Sequence, residues 1–347
     1  MIGFGIIGGG MISRFHAEAI KAIPNAKLIG IYGRNEVKTK AIATEYQCNY
    51  HSSIEGLLSD SSITAVSIAT PSGAHLSGCL AAARAGKHVI CEKPLEINTD
   101  RINQIVKVCE DENVILSGIF NRRFNSAVVA LKKAIDQGRF GKIALCSAYI
   151  KWYRDQAYYD GGAWRGTWEL DGGGALMNQS IHTIDLLQYL AGPIAKLTGS
   201  VGCITHENIE VEDNAVVLLQ FKNGAKGVIE ASTSCWSENG HPAEIHICGS
   251  EGSVFLKDDK FSVWEFENEL QEDQIIKSTL MDKGDAGLGA NNPGAINVDG
   301  HIQNLKDFIH AIKNKSKPTI SGREAAKSVQ IINAIYQSDE TEKWVEL

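Results

Sequence analysis

The first 120 residues alternate between apolar, strand-like runs and helical patterns, and this alternation constrains the fold more than any other feature. The first run spans Ile2 to Ile7 and is followed directly by Gly8-Gly9-Gly10. Beyond the glycines, apolar residues recur every three or four positions, as in an amphipathic helix. Further strand-like runs lie at 27–32, 65–69, 88–91 and 114–119. Strands that are apolar on both faces and alternate with helices form a parallel sheet covered on both sides.

The sequence therefore predicts an α/β protein whose first domain, residues 1–120, is a doubly wound Rossmann sheet. Because 347 residues exceed what one hydrophobic core usually supports, residues 121–347 are predicted to form a second domain. Strand-like runs at 215–221, 227–233 and 243–248 indicate a sheet in that second domain.

The glycine cluster after the first strand has the spacing of a dinucleotide-binding loop. Gly8, Gly10 and Ser13 occupy the GxGxxG positions, with serine in the third, which weakens the match. A first glycine permits a tight turn, and a second lets the backbone approach a pyrophosphate at the helix N-terminus. The ordinary alternative is a simple turn, but this loop follows a strand and opens a helix. We expect Gly8, Gly10, Met11 and Ile12 to contact the cofactor.

The end of the second strand bears on the choice of cofactor. An NAD site usually has an acidic residue there, which accepts hydrogen bonds from the ribose 2′-hydroxyl. This chain has Gly33 and Arg34 instead, and arginine suits a 2′-phosphate. Arg34 therefore slightly favours NADP over NAD as the predicted cofactor. In the alternative interpretation, Arg34 is a solvated loop residue and the site binds NAD.

The segment HVICEKP, residues 88–94, places a lysine at the tip of a buried strand. Ligands of open α/β sheets bind at the carboxyl ends of the strands, where Lys93 would project. Pro94 fixes the chain direction and forces Lys93 into an extended conformation. Taken alone, Lys93 is better explained as an exposed loop lysine.

A second polar group lies within residues 164–193. Gly172-Gly173-Gly174 precede a predicted helix that ends at Gly192-Pro193. Asn178, His182 and Asp185 on that helix are four and seven residues apart, so they share a face. The plain alternative to a catalytic group is a structural His–Asp pair.

Composition excludes several classes of protein. A net charge of −7 argues against a nucleic-acid partner, and no run is long and apolar enough to cross a membrane. The opening residues lack a signal-peptide pattern. Eight cysteines without a CxxC pair, and ten histidines without HxxxH spacing, favour a cytoplasmic protein with no metal site.

The EKP segment and the later GGGxxxNxxxHxxD motif together resemble the Gfo/Idh/MocA oxidoreductases. The likeness also includes GGGMISRFH, TPSGAH at 70–75, FNRRF at 120–124 and a C-terminal segment that begins HIQNLKDF. It therefore covers nearly the whole chain.

The resemblance implies a second domain with an open, mostly antiparallel sheet, whose face commonly forms a dimer contact; we expect a homodimer or homotetramer. It implies a catalytic group of Lys93, Asn178 and His182, with a Pro94 that is often cis. Many relatives have aspartate where this chain has Asn178, and the sequence LMNQ is similar to the branch that acts on nucleotide-linked or acidic amino sugars.

The resemblance also implies an NAD(P)-dependent dehydrogenase that acts on a hydroxyl-bearing carbon of a sugar, polyol or sugar derivative. His182 would take the hydroxyl proton, Lys93 would stabilise negative charge, Asn178 would hold the hydroxyl and Asp185 would orient His182. Alternatives are a sugar hydrolase or epimerase without net redox change, and a regulator that senses NAD(P) without catalysis. Residues predicted to contact the cofactor are Thr70, Pro71, His75, Glu92 and Lys93, and those predicted to contact the substrate are Arg123, Trp152, Trp164, Arg165, Asn178 and Asp185. The loop at 284–294 is either a mobile cover or a disordered connection.

Overall fold

The computed structural model of the chain describes residues 1–162, 164–283 and 298–347. Two compact units are present. The first comprises Met1–Asn121 and the described residues from 298 to Val329, and the second comprises the other described residues. The predicted loop at 284–294 lies outside the described residues. Within the described residues no helix has the length and apolar character needed to span a bilayer.

A six-stranded, all-parallel sheet forms the centre of the first unit, as far as the structure describes it. Its spatial order is β3-β2-β1-β4-β5-β6. This order confirms the predicted doubly wound α/β sheet. Strands β1 to β3 extend the sheet to one side and β4 to β6 extend it to the other, so the switch point lies between β1 and β4. The strands are β1 Ile2–Ile7, β2 Ala26–Tyr32, β3 Asn49–His51, β4 Ala65–Ile68, β5 His88–Cys91 and β6 Leu116–Gly118.

Helices cover both faces of this sheet, and one of them comes from the far end of the chain. Residues 1–120 contribute α1 Met11–Lys21, α2 Glu36–Glu45, α3 Ile54–Leu58, α4 His75–Arg84 and α5 Thr99–Asp111. The helix Asp299–Asn314, numbered α10 in chain order, also belongs to the first unit. Its Phe308 packs against Phe4 of β1, with ring centroids 6.3 Å apart. The first unit therefore differs from the predicted 1–120 domain, because α10 and the residues up to Val329 bury their apolar face in it.

Eight strands form the sheet of the second unit, counted over the described residues. The order is β13-β12-β11-β7-β10-β9-β8-β14. Only the β7–β10 pair is parallel, which confirms the predicted mostly antiparallel sheet. The strands are β7 Ile143–Lys151, β8 Ile194–Gly202, β9 Asn214–Phe221, β10 Lys226–Ser232, β11 Ala243–Gly249, β12 Gly252–Lys257, β13 Lys260–Phe266 and β14 Val345–Glu346.

The remaining helices include one irregular segment that the sequence analysis did not predict. The helix after the three glycines begins with a π-helical segment, Ala175–Ser180, and continues as α8 Ile181–Ala191. Such segments are rare and frequently mark functional sites. The other helices are α6 Ser126–Asp136, α7 Gln156–Asp160, α9 Gln271–Thr279 and α11 Gly322–Thr341, the last of which begins in the first unit and ends in the second.

Candidate active site

The glycine loop of the first unit has the geometry that a pyrophosphate requires. Gly8 has φ of +147°, and a Cβ there would lie 2.2 Å from the carbonyl oxygen of Ala69. A Cβ on Gly10 would meet nothing within 4 Å. Gly10 is also the N-cap of α1 and provides no side-chain cap. The first N–H groups of α1 therefore have open space above them, which fits a bound phosphate.

The neighbouring strand ends complete this edge of the sheet. Arg34 is exposed just after β2, and the next residue, Asn35, caps α2 through the N–H of Lys38. After β4, the ring of His75 lies between two carbonyl oxygens, those of Thr70 and Pro94, each at 2.9 Å. Burial lowers the pKa of His75. A neutral imidazole has one N–H and donates to one of these two oxygens. His75 thus packs between two loops, whereas the sequence predicted it to lie along the cofactor.

Lys93 stands out in its segment by exposure. From Val89 to Glu96 every residue is buried except Lys93. The Lys93–Pro94 peptide bond is cis, as the family resemblance implied. Glu92 is buried and hydrogen-bonded to His16 at 2.7 Å. Lys93 is thus the side chain of this strand end that can reach a ligand at the carboxyl edge of the sheet.

In the second unit, Glu212 and its partner Tyr336 explain two of the three glycines, and Glu212 also explains the irregular helix start. The carboxylate of Glu212 accepts the N–H groups of Gly174 at 3.0 Å and Leu176 at 2.8 Å, and its backbone carbonyl accepts that of Ala175 at 2.9 Å. A Cβ on Gly174 would lie 2.0 Å from that carbonyl oxygen, and one on Gly173 would lie 2.0 Å from the hydroxyl of Tyr336. Only glycine allows this close approach.

The same helix presents two of the predicted catalytic residues. From Asp171 to Gln188 every residue is buried except Asn178 and His182. The Asn178 side-chain amide donates to the carboxylate of buried Asp171 at 2.5 Å and its oxygen accepts from Gln179 at 3.1 Å. Because an ionised carboxylate only accepts, Asp171 fixes which way the Asn178 amide points.

Arg123 and Asp185, both predicted to contact the substrate, bind each other instead. The guanidinium makes two hydrogen bonds to the carboxylate, at 2.7 and 2.6 Å, and both side chains are 1% exposed. The guanidinium also lies 4.3 Å from the ring centroid of Tyr189. This geometry favours a structural role for the pair. The two side chains satisfy each other's hydrogen bonds and hold α8 in place, and they are not directed at a ligand.

Two other arginines lie beside the site-bearing helix. Arg154 donates to the side-chain oxygen of Gln179 at 2.8 Å, and Gln179 donates to the hydroxyl of Tyr158 at 2.9 Å. The Arg165 guanidinium lies 4.3 Å from the ring centroid of Tyr158. Burial lowers the pKa of Arg154. Arg154 was not among the predicted site residues.

The two tryptophans predicted to contact the substrate differ in burial and in hydrogen bonding. Trp152 is buried, and its indole N–H has no acceptor among the residues that the structure describes. Trp164 is half-buried, and its carbonyl oxygen accepts the hydroxyl of Thr167 at 2.8 Å. A buried donor of this kind needs a partner, so Trp152 fits a ligand contact better than Trp164 does.

The sequence analysis missed several residues of the site. Asp171 directly precedes the three glycines, and that position was a usable signal. Glu212 and Tyr336 are far from the glycines in sequence, so neither had a local signal. His301 opens the quoted HIQNLKDF segment, which was assigned to the other domain, and it received no role. His16 lay within the quoted GGGMISRFH motif but received no role.

We predict that the two loop glycines fail in different ways when changed to alanine. Gly10→Ala should leave the melting temperature unchanged and weaken NAD binding by about tenfold or more, because the new methyl group occupies the space over the helix N-terminus. Gly8→Ala should instead destabilise the fold by about 1–3 kcal/mol, since its φ suits only glycine. Thermal melts and cofactor titrations check both. Unimpaired binding by Gly10→Ala would remove the loop from the cofactor site.

We predict a pH dependence that arises from Glu212. Burial raises the pKa of this carboxyl to about 7, despite the hydrogen bonds that it accepts. The folded protein thus holds a proton that the unfolded chain releases near pH 4.5, so the contribution to stability is full below that pH and is lost as pH rises through about 7. Relative to Glu212→Gln, the free energy of unfolding of the wild type should fall over this window by up to about 3 kcal/mol.

Denaturant titrations at several pH values measure this difference, and Glu210→Gln, an exposed neighbour, is the control. Parallel pH curves for the wild type and Glu212→Gln would contradict the prediction.

Comparison with known proteins agrees with this geometry. A family model described as "Oxidoreductase family, NAD-binding Rossmann fold" matches residues 2–120, and a "GFO/IDH/MocA C-terminal domain" model matches residues 128–255. The chain is 29% identical over 346 residues to inositol 2-dehydrogenase of Rhizobium meliloti, covering 96% of each protein. It is 26% identical to 2,7-anhydro-N-acetylneuraminate hydratase of Escherichia coli, covering 92% of this chain and 88% of the relative.

Among solved structures, the chain is similar to the WlbA dehydrogenase of Bordetella pertussis in complex with NADH and UDP-GlcNAcA. The identity is 30%, the TM-score is 0.88, and the match covers 100% of this chain and 98% of the other. The chain therefore belongs to the Gfo/Idh/MocA family and is an NAD(P)-dependent oxidoreductase whose first domain is an NAD-binding Rossmann fold.

Proposed function

We propose that the protein oxidises a hydroxyl-bearing carbon of a sugar, polyol or sugar derivative, with Lys93, Asn178 and His182 as the catalytic group. The observation that supports this assignment is the pattern of exposure. In two otherwise buried segments, Val89 to Glu96 and Asp171 to Gln188, the side chains left accessible are those three. A ligand that enters either segment meets a polar side chain able to act on a hydroxyl.

Each of the three residues has a distinct role in the proposal. His182 takes the hydroxyl proton, since an imidazole titrates near neutral pH. Lys93 donates a hydrogen bond to the same oxygen and offsets its developing negative charge. Asn178 accepts from the hydroxyl through its side-chain oxygen, which Asp171 orients. A nicotinamide cofactor held at the glycine loop would supply the hydride acceptor, so the chain itself supplies orientation and proton transfer.

A panel of inositols, neutral sugars, sugar acids and nucleotide sugars, followed by absorbance of the reduced nicotinamide, tests the function. With the best substrate of that panel, Lys93→Met and His182→Ala should each lower turnover at least about a hundredfold, the effect of a lost acid–base group. Melting temperature and NAD affinity should remain unchanged. The surface variants Lys107→Met and His310→Ala are the controls. Turnover close to the wild-type rate in either site variant would refute its role.

The arginines of the second unit support a negatively charged substrate. Arg154 reaches the site-bearing helix through Gln179, and Arg165 stacks near Tyr158, so two cationic side chains lie on the side of the helix that presents Asn178. Guanidinium groups bind carboxylates and phosphates in a bidentate manner. We propose a sugar acid or nucleotide-linked sugar, and the UDP-GlcNAcA in the WlbA complex is of this class.

The cofactor preference is a separate proposal. We propose NADP over NAD by a small margin, because Arg34 stands exposed after β2 where an NAD site usually has an acid. The NADH in the WlbA complex favours the alternative.

Comparing NADP and NAD affinities in the wild type and Arg34→Ala tests the preference. Loss of a charge-assisted contact should weaken NADP binding by about tenfold and leave NAD binding unaffected. Arg84→Ala, an exposed arginine at the end of α4, is the control. An unchanged ratio of affinities would remove Arg34 from the cofactor site.

A second candidate function is a reaction without net redox change. The hydratase from Escherichia coli, similar over most of the chain, favours it. The same panel distinguishes this function from net oxidation if product formation is measured beside the absorbance. In a reaction without net redox change, product would form without lasting accumulation of reduced nicotinamide.

We also propose that the open face of the eight-stranded sheet pairs with a second copy of the chain. Leu145, Val216 and Leu218 are each more than half exposed on that face, beside Tyr149. Exposed apolar patches of this kind mark association surfaces.

We also propose a cytoplasmic location. It is consistent with the cysteines, which are all unbonded thiols in the described chain.

A further inference from the structure

A buried cluster of two histidines and a glutamate lies directly before Lys93, and the proposed mechanism does not use it. Oε1 of Glu92 is 2.7 Å from Nε2 of His16 and 3.4 Å from Nε2 of His301. The three side chains are at most 8% exposed. They come from the end of β5, from α1 behind the glycine loop, and from α10.

The outer partners of the two histidines define how protons are placed in the cluster. Nδ1 of His16 is 2.5 Å from the Ser67 hydroxyl, and Nδ1 of His301 is 3.2 Å from the side-chain nitrogen of Asn121. If both outer groups donate, each imidazole is neutral and points its Nε2–H at Glu92. Burial alone would raise the pKa of Glu92, but the hydrogen bonds from the two histidines hold it well below its usual value. The carboxylate is therefore ionised, with both histidines at its Oε1.

The remaining oxygen of Glu92 acts on Lys93 itself. Oε2 accepts the backbone N–H of Lys93 at 3.0 Å. One residue further on, the carbonyl oxygen of Pro94 faces Nδ1 of His75 at 2.9 Å. The backbone on both sides of Lys93 is thus fixed by buried side chains, so the position of its ammonium depends on its own side-chain torsions.

We propose that Glu92, held by His16 and His301, is a positioning residue for the Lys93 ammonium, and that it links this group to the helix behind the glycine loop. This inference rests on the proposed role of Lys93. It replaces the cofactor contact predicted for the Glu92 side chain, because both of its oxygens already accept protein N–H groups.

The same three residues also form a set that could hold a divalent cation, since their ligand atoms lie within 4.8 Å of one another. Metal-bound imidazole must present a lone pair, not an N–H, to the ion. The donors at both outer nitrogens favour protons on Nε2, so we assign hydrogen bonds here, and metal binding becomes an outcome of the test.

A double-mutant cycle of Glu92→Gln and Lys93→Met tests the proposal. Single turnovers of the NAD-loaded enzyme with the best panel substrate keep slow variants measurable. Glu92→Gln should lower the hydride-transfer rate by about ten- to a hundredfold, as expected for a displaced catalytic group, with NAD affinity and KM nearly unchanged. The double variant should be no slower than Lys93→Met alone, because the two residues act as one unit. Hydrogen exchange of the Lys93 amide, measured without substrate, should accelerate in Glu92→Gln.

Glu96→Gln is a matched control, because Glu96 is also buried and also accepts the N–H of the next residue, at 2.6 Å. It should retain the wild-type rate. Multiplying effects in the double variant would overturn the positioning role while leaving Lys93 catalytic, and an unimpaired Lys93→Met would instead overturn the proposed function. A wild-type rate in Glu92→Gln, an equal loss in Glu96→Gln, or a co-purifying metal whose chelation reproduces the loss would each overturn the inference.

Discussion

The structure depends on how it satisfies carboxylates that are removed from water. A buried carboxylate costs several kcal/mol unless donors surround it, so its donors are held firmly in place. In the first unit Glu92 gathers N–H groups from two helices and from Lys93. In the second unit the carboxyl group of Glu212 accepts the N–H groups of Gly174 and Leu176, and its backbone carbonyl accepts that of Ala175. In each proposed catalytic segment, a buried acid therefore fixes the backbone near the catalytic residues.

This arrangement has a consequence for the chemistry. Transfer of a hydride requires the reacting groups to be held closely in one geometry, and rigid supports reduce the entropy lost when the substrate binds. Buried neighbours surround Lys93, Asn178 and His182, so these side chains can move little except about their own torsions. The Arg123–Asp185 pair adds a further fixed point on α8. These buried charged and polar groups therefore order the segments that carry the proposed catalytic residues.

The sequence predicted the fold and the site segments because their signals are local. Apolar runs, glycine spacing and the EKP and GGGxxxNxxxHxxD motifs each lie within a short stretch. The missing features depend on residues that are distant in sequence. The π-helical start exists because Glu212, 36 and 38 residues after its two partners, binds their N–H groups. The amphipathic pattern of α10 showed that one face is buried, but not that Phe308 would pack against Phe4. Arg123 and Asp185 were assigned to the substrate because neither motif reveals that the two residues face each other.

The central claim is that these fixed segments serve direct hydride transfer, and isotope tracing tests it most directly. The substrate is labelled with deuterium on the reacting carbon, and the nicotinamide is recovered after one turnover for mass spectrometry. The account predicts that the reduced cofactor carries the deuterium. Label that appears in solvent water, with an unlabelled cofactor, would contradict it.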